Sequence, residues 1–238
     1  MDITSYQNKY FSILGDSIST LAGYNPDDCA VFYDWTNKQL SGVYAPEDTW
    51  WGKVIHTLGG HLLVNHSWSG SLVCKHPDCE IESYGCSDAR TTVLATPCKT
   101  PDVVMILLGL NDFGWGMRPM PAAGEQDLAV FSVAYDRMLE KLRQNYPRAE
   151  LWCLTLPHSC WSKHPEVQIP LVRAGWHQTD YCRVIRSCGE RWGCRVVDIF
   201  SLDAPYDTID GDHPNARGMQ TLADAVLGEV ERWCAHDH

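Results

Sequence analysis

A chain of 238 residues, 45% apolar and 21% charged, belongs to the ordinary globular class and is expected to form one domain over residues 1–238. Its formal net charge of −11 argues against nucleic acid or an anionic membrane as the main partner. The opening residues Met1 to Ser5 are polar and lack the basic-then-apolar pattern of a leader, and no apolar run reaches membrane-spanning length, so the expected setting is cytoplasmic and away from membranes.

Five apolar runs read as strands: Tyr10 to Leu14, His61 to Asn65, Asp102 to Leu108, Glu150 to Leu156 and Arg195 to Phe200. The third, Val103-Val104-Met105-Ile106-Leu107-Leu108, is apolar on both faces, as a central parallel strand covered from both sides must be. Helix-length segments fall between and after them: Thr49 to Leu58, Ser87 to Thr96, Glu125 to Asn145, Gln178 to Trp192 and Asn215 to Ala235. Leu128, Phe131, Tyr135, Met138, Leu139 and Leu142 follow the spacing of an amphipathic helix, and Met219, Leu222, Ala223, Val226 and Val230 repeat it near the end. Strand alternating with helix predicts a parallel five-stranded sheet inside a three-layer α/β/α sandwich.

Three connections exceed what such a fold needs: Leu21 to Asp48, Ser67 to Cys86 and Pro157 to Trp176. Each follows the carboxyl end of a strand, the rim where active sites of parallel sheets assemble. The first carries Tyr24, Phe32, Tyr33, Trp35 and Tyr44, most of them expected to pack the loop onto the body.

The 11 cysteines cannot all pair within one chain. Cys74, His76, Cys79 and Cys86 could in principle bind zinc, but the spacing fits no familiar four-ligand pattern. Reduced thiols in a long loop are the expectation, with no metal and no cofactor.

Chemistry concentrates in two places. Gly15-Asp16-Ser17 directly follows the first strand, and Asp210-Gly211-Asp212-His213 precedes the last helix. A serine hydroxyl becomes an effective nucleophile when a histidine takes its proton and a carboxylate fixes that histidine's tautomer and orientation. Donors for an oxyanion are expected after neighbouring strands, in Ser67-Trp68-Ser69-Gly70-Ser71 and Gly109-Leu110-Asn111-Asp112. There is no Gly-x-Ser-x-Gly elbow, which disfavours the α/β-hydrolase arrangement.

With these blocks in order, the chain resembles the GDSL or SGNH hydrolases over essentially its whole length. The resemblance implies a flavodoxin-like sheet, Ser17 as nucleophile, His213 as base and Asp210 as its carboxylate. It places oxyanion donors at the Ser17 N–H, Gly70 and Asn111. Asp207 and Asp212 are also near, and the family's three-residue offset is what selects Asp210. Among the tryptophans, Trp68 and Trp115 lie nearest the oxyanion donors and are the first candidates for lining a pocket, with Trp161 and Trp176 next. Asp16 and Asp112 are expected to brace loops, and Arg90 to form an internal salt bridge.

The implied activity is hydrolysis of carboxylic esters through an acyl-enzyme. A short acyl group on a carbohydrate or other small ester is the preferred substrate. Alternatives are a thioesterase or lysophospholipase acting on longer chains, an acyltransferase, and a binding module of the same fold without turnover.

Overall fold

The computed structural model describes residues 3–76, 83–161, 164, 166, 169–202 and 205–236. In chain order its strands are β1 (Tyr10–Gly15), β2 (His61–Asn65), β3 (Val103–Leu107), β4 (Glu150–Leu154), β5 (Ser159–Trp161), β6 (Val172–Arg173), β7 (Trp176–His177), β8 (Arg195–Val197) and β9 (Tyr206–Thr208). Its helices are α1 (Trp35–Ser41), α2 (Trp50–Thr57), α3 (Asp88–Thr91), α4 (Leu110–Trp115), α5 (Phe131–Asn145), α6 (Gln178–Arg191) and α7 (Ala216–His236).

The main sheet has the order β2-β1-β3-β4-β8, and every pair in it is parallel. The five strands are those expected from the apolar runs, the last three a little shorter. All of β3 is buried, because layers close over both of its faces. One layer packs α5 and α6 against Val104, Ile106 and Cys153, through Phe131, Tyr135, Met138, Leu139, Tyr181 and Ile185 among others. The other packs α2 and α7 against Ile13, Met105 and Leu154, through Trp50, Trp51, Val54, Met219, Leu222 and Val226 among others. The helical spacing read from the sequence therefore delivers its apolar stripes to the sheet.

Several segments differ from expectation. The helix foreseen over Ser87 to Thr96 is confined to α3: Pro97 disfavours helix at the residue before it, and the Leu94 N–H leaves to donate to the Tyr146 hydroxyl at 2.8 Å. The helix foreseen from Glu125 starts at Phe131, because Glu125 and Asp127 accept from the backbone N–H groups of Ala122 and Ala129 and hold that segment in turns. The first long connection contains α1, capped by the Asp34 carboxylate on the N–H groups of Thr36 and Asn37 and closed by Gly42 in the left-handed region. Trp35, 79% exposed, gives that helix no apolar stripe to announce it.

The third long connection folds as a small superstructure on the rim. β5 pairs with β9, and β6 forms a two-residue hairpin with β7 in which Ala174 and Gly175 both take positive φ. Among the described residues no disulfide forms, and no helix is long and apolar enough to cross a membrane.

Candidate active site

The sheet order reverses at β1, whose neighbours are β2 and β3, so a crevice opens above the carboxyl ends of β1 and β3. β1 delivers the chain into a single 3₁₀ turn, Ser17–Ser19, capped by the Asp16 side chain on the Ile18 N–H at 3.0 Å. That cap sets Ser17 at the start of the turn, at the mouth of the crevice. β3 ends at Gly109, whose φ of +123° lets the chain swing sharply into α4. The first turn of α4 holds Asn111 and Asp112.

The segment before α7 brings the histidine across 196 positions of sequence. His213 Nε2 lies 2.9 Å from Ser17 Oγ, and His213 Nδ1 lies 2.7 Å from Asp210 Oδ2. The second oxygen of Asp210 accepts from the backbone N–H groups of Asp212 at 3.1 Å and His213 at 2.8 Å. Burial alone would push the Asp210 carboxyl up, but these hydrogen bonds and the imidazole hold it below the usual carboxylate range. An ionised Asp210 accepting at Nδ1 fixes the tautomer whose Nε2 is free to accept from Ser17. This is the geometry a nucleophile, base and orienting carboxylate require.

Asp212 adjoins His213 but does not reach its ring. Its carboxylate faces Arg173 at 3.8 Å. Asp207 pairs with Arg217. Of the three neighbouring carboxylates, Asp210 is the one on the imidazole.

The side-chain amide of Asn111 donates to Ser71 O at 3.0 Å, which ties α4 to the loop after β2, spends one of its two N–H groups, and leaves the residue on the cavity wall. Gly70 sits in that loop at φ +80°, exposed, with open space where a Cβ would stand. A backbone N–H there can be approached closely by a ligand. Asp112, fully buried, accepts from the N–H groups of Val73 and Cys74 at 2.8 and 2.9 Å, which braces the loop as expected.

Arg90 departs from expectation. It is fully buried, and among the described residues it forms no salt bridge. Its guanidinium instead donates to the carbonyls of Gly15 and His66 at 2.9 Å, to Ser71 Oγ at 2.6 Å, to Ser83 O, and through Nε to His66 Nδ1 at 3.0 Å. One side chain thus stitches the end of β1, the end of β2 and the Asn111 anchor into one block. Arginine's planar fork suits this better than lysine's point charge. Burial lowers Arg90 to about 10, and burial followed by the Arg90 charge lowers His66 to about 4. Burial also pushes the Asp16 carboxyl up to about 7, against the pull of the Ile18 N–H.

A cavity of about 230 Å³ opens here, with walls that include Ser17, Asn111, Trp115, Arg173, Asp212 and His213. Trp115 is two-thirds exposed and carries His76 edge-on at 5.2 Å. Neither Trp68 nor Gly70 is among the lining residues, and Trp176, partly buried, packs against the core that includes α5 and α6. The Trp161 side chain lies outside what is described. Cys79 also lies outside the described residues, while Cys74 and Cys86 are buried thiols raised by burial, Cys86 to about 12. Two residues of the site carried no motif. Phe32, in the first long connection, stacks on the His213 ring, and Arg173 reaches the cavity from the β6–β7 hairpin. An aromatic-rich rim loop signalled the first; a two-residue strand gave no sign of the second.

No curated protein matches the chain. Among solved structures it is similar to a candidate GDSL-like lipase from Bacteroides uniformis, with 26% identity, TM-score 0.71, and coverage of 98% of this chain and 100% of that one. A candidate GDSL-like lipase from Bacteroides ovatus follows at 23% identity and TM-score 0.73, covering 95% and 99%. A Corynascus carbohydrate esterase family 2 enzyme with an added carbohydrate-binding domain shares the fold at 18% identity and TM-score 0.61, covering 95% of this chain and 67% of that one. The family model described as GDSL-like Lipase/Acylhydrolase matches residues 9–230, a span that takes in every segment of the crevice, and the chain belongs to that family.

Proposed function

We propose that the protein is a serine esterase that cleaves small carboxylic esters through an acyl-enzyme. The observation that carries this reading is the continuous relay from Ser17 Oγ through both nitrogens of His213 to Asp210. Ser17 attacks the ester carbonyl as His213 takes its proton, and Asp210 balances the imidazolium that results. The tetrahedral oxyanion is received by the N–H groups of Ser17 and Gly70 and by the Asn111 amide. The imidazolium protonates the departing alcohol. His213 then deprotonates a water that releases the acid and restores Ser17.

Trp68 plays no part in this reading, and Trp115 forms the outer wall. A short acyl group, acetyl above all, on a carbohydrate or similar small polyol is the substrate we favour. Its supports are the cavity volume of about 230 Å³, walls that mix charged groups with one exposed indole, and the fold shared with a carbohydrate esterase. Small-molecule ester is the sole partner the reading needs, with neither metal nor cofactor in any step.

The test is hydrolysis of p-nitrophenyl acetate by wild type and Ser17→Ala, followed by acetate release from acetylated sugars. Serine-dependent turnover of both supports the full reading. A Ser17→Ala enzyme as active as wild type overturns it, and a preference for acyl chains beyond eight carbons replaces the short-acyl substrate with a longer one.

A further inference from the structure

Arg173 stands out among the charged residues of the cavity. It lies on β6, in a hairpin added to the rim, and it shares the cavity wall with Ser17 and His213. Its Nε is buried and has no hydrogen-bond partner, and among the described residues none of the guanidinium nitrogens donates a hydrogen bond. The nearest carboxylate, Asp212, is 3.8 Å away, beyond hydrogen-bond length. The guanidinium carbon sits 5.7 Å over the Phe113 ring, and a Cβ added at Gly114 would stand 3.9 Å from Nη1. Phe113 and Gly114 belong to α4, the helix that carries Asn111.

An arginine presents five donors in a fixed plane, and burying one without a partner costs stability. Two other arginines of this chain that are largely withdrawn from solvent find partners: Arg90 in carbonyls, Arg186 in both oxygens of Asp198 at 2.9 Å. Arg173 is held by Phe113 and Asp212 on the wall of the cavity, its side chain about one-third exposed and its Nη groups without a hydrogen-bond partner among the described residues. The protein carries a net charge of −11, and Asp16 and Asp212 line the same cavity. Arg173 is the one lysine or arginine among the described residues of this wall, and beyond its loose ion pair with Asp212 its charge counters a field that otherwise repels anions.

We infer that Arg173 binds a carboxylate borne by the substrate, so that the preferred substrates are small esters carrying an acidic group close to the scissile bond. Where the alcohol is a carbohydrate, this describes an O-acylated sugar acid. The inference rests on the esterase reading above and deepens it. The carboxylate docks bidentately on the guanidinium fork, and the shared cavity brings the ester within reach of Ser17. Asp212 acts as the placeholder that positions Arg173 between turnovers.

The experiment compares kcat/KM for each acidic ester with its own methyl ester, which separates charge from size. One pair carries the acid on the leaving group (4-acetoxybenzoate and methyl 4-acetoxybenzoate), the other on the acyl side (p-nitrophenyl hydrogen adipate and p-nitrophenyl methyl adipate). The expected result is that Arg173→Gln lowers the acid-to-methyl-ester ratio about tenfold or more in at least one pair, the scale of a charge-assisted hydrogen bond. Arg173→Lys should restore part of it. A purely structural brace would lower both members of a pair together and leave the ratio unchanged. An unchanged ratio in both pairs, with an active wild type, overturns the inference alone. A wild type that hydrolyses none of the four esters overturns both the inference and the esterase reading.

Discussion

The imidazole of His213 lies flat against the ring of Phe32, with centroids 3.4 Å apart and planes 6° from parallel. Asp210 and Ser17 hold the two nitrogens in the plane of the ring, and Phe32 blocks movement out of it. The adjacent Tyr33 is buried and donates to Pro214 O at 2.7 Å, which locks the loop to the residue that follows the histidine.

Phe32 should therefore act as a positioning residue. Phe32→Ala is expected to lower kcat about tenfold while KM changes little, since small misplacement of a catalytic group is expensive in rate. Phe32→Tyr, which keeps the flat ring, should recover most of the loss. Steady-state kinetics on p-nitrophenyl acetate separates this from general destabilisation, which would not be rescued in kcat alone.

The two carboxylates beside His213 should behave differently. Asp210→Asn leaves the shape intact but removes the charge at Nδ1, and kcat should fall by about 10²–10⁴-fold. Asp212→Asn removes only the neighbour of Arg173 and should cost far less. Equal losses in the two variants would reassign the orienting carboxylate.

Asn111 spends one amide hydrogen on Ser71 O and has another to offer. Asn111→Ala should cost about 10²–10³-fold in kcat, the usual effect of losing one oxyanion donor. An unchanged kcat would remove Asn111 from the oxyanion site.

Arg90→Lys should destabilise the fold by roughly 2–4 kcal/mol, because an ammonium cannot reach the five acceptors that the guanidinium serves and leaves several of them buried and unpaired. Denaturant unfolding measures this. A loss below about 0.5 kcal/mol, the range of ordinary surface substitutions, would show that the stitch is dispensable.

His66 supplies a pH signature. Burial, then the Arg90 charge, holds its imidazole at about 4, against 6.5 in the unfolded chain. Between these values the unfolded state binds the extra proton, so stability falls as pH drops from 6.5 towards 4. His66→Gln, which keeps an acceptor for Arg90, should flatten that part of the profile of Tm against pH. An identical slope in the variant would place the acid sensitivity elsewhere.

What the sequence determined by itself is what local rules encode. Apolar runs of strand length, helical spacing in α5 and α7, and the four polar blocks at strand ends specify a parallel sheet, its layers and the residues that meet at Ser17. These signals survive because each depends on neighbours within a few positions, or on motifs whose members all sit at one rim of the sheet. The tertiary structure decided the rest. Arg90 was legible as a charge near a helix start, but its carbonyl partners come from Gly15 and His66, far away in sequence and invisible to any spacing rule. Phe32 was one aromatic among five in a long loop, and only the docking of that loop laid it on His213. Arg173 stands in a two-residue strand with no periodicity, and it reaches the cavity because the hairpin folds back over α4. Side chains whose partners come from distant segments have no local signature, and in this protein they are the ones that shape the crevice around its reactive groups.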